Sequence, residues 1–74
     1  MSAHSANLNW LHLRSSFLVA NAMLQGLDGL CRDLQDAQCM DLEATARDAF
    51  YQVELIRDRL RCRLENRDVV AGVA

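Results

Sequence analysis

The chain has 74 residues, 51% of them apolar and 24% charged, with no proline, three glycines and a formal charge of −2. A chain of this size holds one small domain, its apolar fraction excludes an intrinsically disordered segment, and its acidic balance excludes a general binder of polyanions. Leu, Ala, Arg, Gln and Glu dominate and alternating Val/Ile/Thr runs are missing, which points to helices and away from a sheet.

Residues 1–7 read as a flexible leader. The segment Met1–Asn9 carries no positive charge ahead of the apolar region, so it does not read as a signal peptide. A first helix is predicted over residues 8–35, with Asn7 or Asn9 able to cap it. Within it Trp10, Leu13, Phe17, Ala20, Leu24, Leu27, Cys31 and Leu34 recur at alternating three- and four-residue intervals, an unbroken heptad seam. The polar stretch QDAQCMD follows and reads as a turn. Asp41 is the expected N-cap of a second helix over 41–67, with Glu43 favoured in its first turn by the helix dipole. That helix repeats Leu42, Ala46, Ala49, Val53, Ile56 and Leu60 at the same intervals, and Leu64 extends the row. Residues 69–74 read as a fraying tail.

A turn this short forces the helices antiparallel. Folding the chain about residue 38 brings the two heptads into register, with Leu34 expected against Leu42, Cys31 against Ala46 and Leu27 against Ala49. Leu24 then meets Val53, Ala20 meets Ile56 and Phe17 meets Leu60. The expected fold is all-α, an antiparallel two-helix hairpin over residues 8–68.

The first helix offers more than one seam. The run from Ser15 to Leu27 contains no charge, although it is too short to span a bilayer. Outside the seam, Ser15, Val19, Ala22, Gly26 and Gly29 form a small, uncharged stripe on the opposite side, with Leu11 and Leu18 beside it. A helix that is apolar or neutral all round is a buried helix, and one hairpin cannot bury it. This stripe is therefore the expected interface with another chain, and a homodimer forming a four-helix bundle is the simplest assembly. Charge supports it. Residues 28–48 carry six carboxylates against Arg32 and Arg47, whereas the end of the second helix carries Arg57, Arg59, Arg61, Arg63 and Arg67 against Glu54, Asp58, Glu65 and Asp68 and is mildly basic. Hairpins packed with their turns at opposite ends bring unlike charges together.

The arginine-rich string RDRLRCRLENR invites a nucleic-acid reading, with Arg14, Arg57 and Arg61 as the phosphate contacts. Against it, the arginines are spread around the helix, no aromatic interleaves to stack bases, and Glu54/Arg57, Asp58/Arg61 and Arg61/Glu65 are spaced to pair locally. His4 and His12 lack further ligands at metal spacing. Cys31, Cys39 and Cys62 are odd in number and form no CxxC motif, so a reduced, cytoplasmic chain is expected, with no cofactor or metal. Trp10, near the open end, is a candidate anchor for a partner. No nucleophile–base pair, paired-carboxylate constellation or phosphate loop is present, so no enzymatic activity is expected. All eight basic residues are arginine, the usage of a GC-rich bacterial genome.

In pattern, the paired heptads, short turn and alternation of large and small residues resemble the Rop family of plasmid-encoded RNA-binding hairpin dimers. They also resemble the small helical-hairpin co-chaperones of bacterial secretion systems. The first resemblance implies a homodimeric bundle and an RNA-binding regulator, and the second a subunit that works with a protein partner. The residues favour a non-enzymatic interaction module, a small regulator or adaptor acting through helix–helix contacts. The alternatives are a Rop-like RNA-binding regulator and an obligate chaperone- or antitoxin-type subunit. The expected partners are the chain itself and, as a second candidate, another protein, with no membrane and with nucleic acid disfavoured.

Overall fold

A computed structural model describes the backbone over residues 3–73 and the side chains over residues 9–66. Two helices account for it, α1 (Ala3–Asp36) and α2 (Met40–Val73), packed along each other in a rod of 53 × 19 × 15 Å. Both reach further than expected at the open end, where helical backbone extends into the segments read as leader and tail. The side chains of those segments lie outside the described residues. At the turn the expected and observed bounds agree to one residue.

The turn is a Schellman motif. Gln38 takes the left-handed conformation at φ 59°, its N–H donates to the Gln35 carbonyl at 3.0 Å, and the Cys39 N–H donates to the Leu34 carbonyl at 3.0 Å. Carbonyls that the end of α1 leaves open are thereby satisfied. The N-cap of α2 is Cys39, whose carbonyl accepts the first helical hydrogen bond from the Glu43 N–H at 2.9 Å. This corrects the expectation for Asp41. Helix α2 begins at Met40, so Asp41 sits inside the first turn, where its charge and that of Glu43 still favour the N-terminus. The left-handed residue ends α1 abruptly and lets the chain re-enter a helix two residues later, before Asp41 is reached.

The seam of α1 is the expected one. Ala20, Leu24 and Cys31 are buried, and Trp10, Leu13, Phe17, Leu27 and Leu34 are half-buried. The seam of α2 is rotated from the expected row. Ala46 is buried, and Glu43, Phe50, Val53, Arg57, Leu60 and Leu64 are half-buried at alternating three- and four-residue intervals. Leu42 and Ile56, expected in the core, are each 54% exposed. The expected pairings of Leu34 with Leu42 and of Ala20 with Ile56 therefore do not hold. Ala49 stays half-buried at the rim, while Phe50 shares the inter-helix groove with Leu24 and Asp28.

The physical reason lies in Phe50 and Arg57. Turning the phenyl ring inward in place of the Ala49 methyl gains apolar burial at that level and offsets part of what is lost by exposing Leu42 and Ile56. That rotation carries Arg57 into the seam in place of Ile56. Its aliphatic stem covers the groove while its guanidinium reaches Asp58 at 2.9 Å and Glu54 at 4.0 Å.

Gln38 supplies a test. A residue with a Cβ in the left-handed region is strained, whereas glycine is not. Gln38→Gly should raise stability by about 0.5–1 kcal/mol, and Gln38→Val should lower it by at least as much, in urea midpoints taken at one fixed chain concentration. A loss on Gln38→Gly would contradict the motif.

Candidate functional site

The rotation of α2 gives the hairpin two unlike faces. Residues one position after a seam residue lie on one side of the helix pair, and residues one position before it lie on the other. In an antiparallel pair the matching sides of both helices share a face.

The first face is polar and internally paired. Asn21 and Asp28 of α1 are half-buried beside the groove that also holds Gln25, Phe50 and Arg57. Arg32 pairs with Asp28, Arg47 with Glu43, Arg57 with Asp58 and Glu54, and Arg61 with Asp58 at 3.3 Å. A hydrogen bond to the Glu43 carboxylate, reinforced by its charge, holds the Arg47 guanidinium above its ordinary pKa. All of these groups lie in the α2 seam or on this one side. The expected Glu54/Arg57 and Asp58/Arg61 pairs form, and Arg61/Glu65 is not among the ion pairs of the described residues.

The second face is open and mostly apolar, with the uncharged Thr45 and Gln52 in the same α2 row. Val19, Met23 and Leu30 of α1 are 55%, 49% and 45% exposed, and Leu42 and Ile56 of α2 lie beside them with Ala49 between. Of these, only Val19 stood in the stripe expected to make the interface. Met23, Leu30, Leu42 and Ile56 are the candidate contact residues that the sequence pattern misses, because it places the row containing Leu42 and Ile56 in the core. The signal was present in the second heptad of α2, in which Phe50 and Arg57 replace Ala49 and Ile56.

The other expected interface residues are also at the surface. Ser15, Ala22, Gly26, Gly29, Leu11 and Leu18 are all exposed. A Cβ added at Gly26 or Gly29 meets no atom within 4 Å, so the stripe is open at both glycines among the described residues. Leu11 and Leu18 fall on the outer flank of the polar face, away from Met23 and Leu30.

The three arginines proposed for phosphate contact each have a neighbour within the chain. Arg57 and Arg61 share Asp58, and the Arg14 guanidinium lies over the Trp10 ring of α1, 5.7 Å from its centroid. Phe50 and Tyr51 pack edge to face with centroids 5.9 Å apart. Cys31 is buried, Cys39 half-buried in the turn and Cys62 exposed. His12 is exposed, and His4 lies outside the residues whose side chains are described. Among the described residues no group of three or more His, Cys, Asp or Glu is placed to hold a metal ion, and no helix is long and apolar enough to cross a membrane. The surface hollows are shallow and open, lined by Ala44, Arg47 and Tyr51 in one place and by Asp58, Arg59 and Cys62 in another.

No family model matches the chain, and no curated protein or solved structure matches it either.

Arg57 tests the polar face. Its ion pairs are partly exposed and therefore contribute little, whereas a leucine at that position fills the seam. Arg57→Leu should leave stability unchanged or raise it by up to about 1 kcal/mol in thermal melts. A loss well above 1 kcal/mol would show that the arginine network holds the helices together.

Proposed function

We propose that the chain is a non-enzymatic helical interaction module, a small bacterial regulator or adaptor that works in the cytoplasm through helix–helix contacts. The observation that carries this reading is the division of the hairpin into a polar face that pairs its own charges and a mostly apolar face that nothing among the described residues covers. An apolar strip running along two helices fits the matching strip of another helical hairpin, and the product is a four-helix bundle. The thin core supports the same conclusion. Only Ala20, Leu24, Cys31 and Ala46 are buried among the described residues, and a chain of this size needs further burial to be stable.

The RNA-binding reading is less favoured. Arg57 and Arg61 are engaged with carboxylates, and the exposed aromatic Tyr51 stands apart from Arg14. A phosphate would have to compete with the paired acids while the whole chain carries a net charge of −2.

Footprinting inside the expressing cell tests the module. Hydroxyl-radical labelling of Met23, Leu30 and Ile56 should be several-fold slower in cells than in the purified chain at high dilution, while Leu18 and Leu55 should label equally in both. Equal labelling of all five would contradict the reading.

A further inference from the structure

We propose that the occupant of the apolar face is a second copy of this chain, seated with its turn at the opposite end. This rests on the reading of the chain as an interaction module and adds to it the partner, the surface and the orientation.

The argument comes from charges at the edge of the apolar face. On α2, Asp41 and Asp48 stand near the turn, two positions before the seam residues Glu43 and Phe50 and so on the outer side of the helix, and Arg59 and Arg63 stand near the open end, one position before Leu60 and Leu64 and so at the end of the apolar row. All four are exposed and lie outside the ion pairs of the polar face. On α1 the turn end carries Asp33 and Asp36, also exposed. The hairpin pivots about Gln38, so Ile56 lies level with about Asn21, Ala49 with about Asp28 and Leu42 with about Leu34. The apolar face is therefore centred near Gly26.

A two-fold axis through that centre, lying in the interface and perpendicular to the helices, stacks α1 on α1 and α2 on α2 with their directions reversed. Met23 of one copy then faces Leu30 of the partner subunit. The two Gly26 residues meet near the axis, where the absence of side chains lets the backbones approach. Arg59 and Arg63 come level with either side of Asp41 of the partner subunit, with Asp48 of the partner subunit about 7 Å further along the helix, and symmetry makes that approach twice. The alternative, with both turns at one end, stacks α1 on α2. It sets Asp41 beside Asp36 of the partner subunit and leaves Arg59 and Arg63 against the neutral Ser15 and Ser16. Like charges then meet at one end and no opposite charges meet at the other, so the charge pattern selects the first arrangement. The axis also accounts for a row of small residues, Ala22, Gly26 and Gly29, lying beside Val19 and Met23. They flank the closest approach of the two α1 helices.

Sedimentation equilibrium of the full chain at micromolar concentration, with helicity followed by circular dichroism, tests the proposal. Wild type should have twice the chain mass. Ile56→Arg and Gly26→Trp should shift it to the monomer mass, whereas Leu18→Arg, on the other flank, should leave the dimer intact. Because those variants also reduce apolar packing, the charge pattern is tested separately. Arg59→Glu with Arg63→Glu should weaken dimerisation at least tenfold at low salt, and adding Asp41→Arg with Asp48→Arg should return the Kd to within about threefold of wild type. A helical wild-type monomer would overturn the second copy as occupant. The module would still stand if Met23, Leu30 and Ile56 were protected in cells, and would fall with it if they were not. A dimer broken by Leu18→Arg and untouched by Ile56→Arg would overturn the face. A dimer in which the four reversals fail to restore binding would overturn the orientation.

Discussion

Two helices in contact share one seam, and whatever apolar surface lies outside it stays in water unless a third surface covers it. That constraint organises this chain. Helix α1 brings Phe17, Ala20, Leu24, Leu27 and Cys31 to the seam and still carries Val19, Met23 and Leu30 outside it. Helix α2 has two candidate rows offset by one residue, and only one of them can face α1. Phe50 turns inward, and the burial of its ring offsets part of what is lost by exposing Leu42 and Ile56. The losing row, Leu42, Ala49 and Ile56, is thereby turned to the same side as Met23 and Leu30, and the hairpin becomes two-faced.

The choice has an electrostatic counterpart. Bringing Phe50 inward also brings in Glu43 and Arg57, two charged residues whose ends need partners. They find them locally, Glu43 with Arg47 and Arg57 with Glu54 and Asp58, so the charge is kept at the edge of the seam and on one flank of it. Such exposed pairs add little stability. Their consequence is segregation, because arginines and carboxylates that pair on the polar flank leave the opposite flank free of charge over its central length.

Much of this was legible in the chain. The α1 heptad from Trp10 to Leu34 is unbroken, no strand-forming run competes with it, and the polar stretch after Leu34 placed the turn to within a residue. The rotation of α2 was not legible by periodicity. Ala46, Val53 and Leu60 belong to both rows, and a count of apolar residues favours Ile56 over Arg57 and Leu42 over Glu43. Hydropathy scores the arginine head and overlooks its stem, which is the part that packs. The cap was missed for a related reason. Asp41 has the better capping chemistry, but the left-handed Gln38 fixes where the chain can restart a helix, and that point is Cys39. The small stripe on α1, expected to be an interface, lies at the surface of the hairpin. The apolar strip beside it, shared by both helices, emerged only once the orientation of α2 was known.

The central claim is that Phe50 faces α1 within the chain while Leu42 and Ile56 face outward. Isotope-filtered NOE spectroscopy on a mixed sample of labelled and unlabelled chain tests it residue by residue. The Phe50 ring should show NOEs to Leu24 and Leu27 within the same chain, and the Ile56 and Leu42 methyls should show their NOEs to the other chain. Intrachain NOEs from Ile56 to Ala20 and from Leu42 to Leu34, with the Phe50 ring in water, would contradict the seam and the two-faced hairpin built on it.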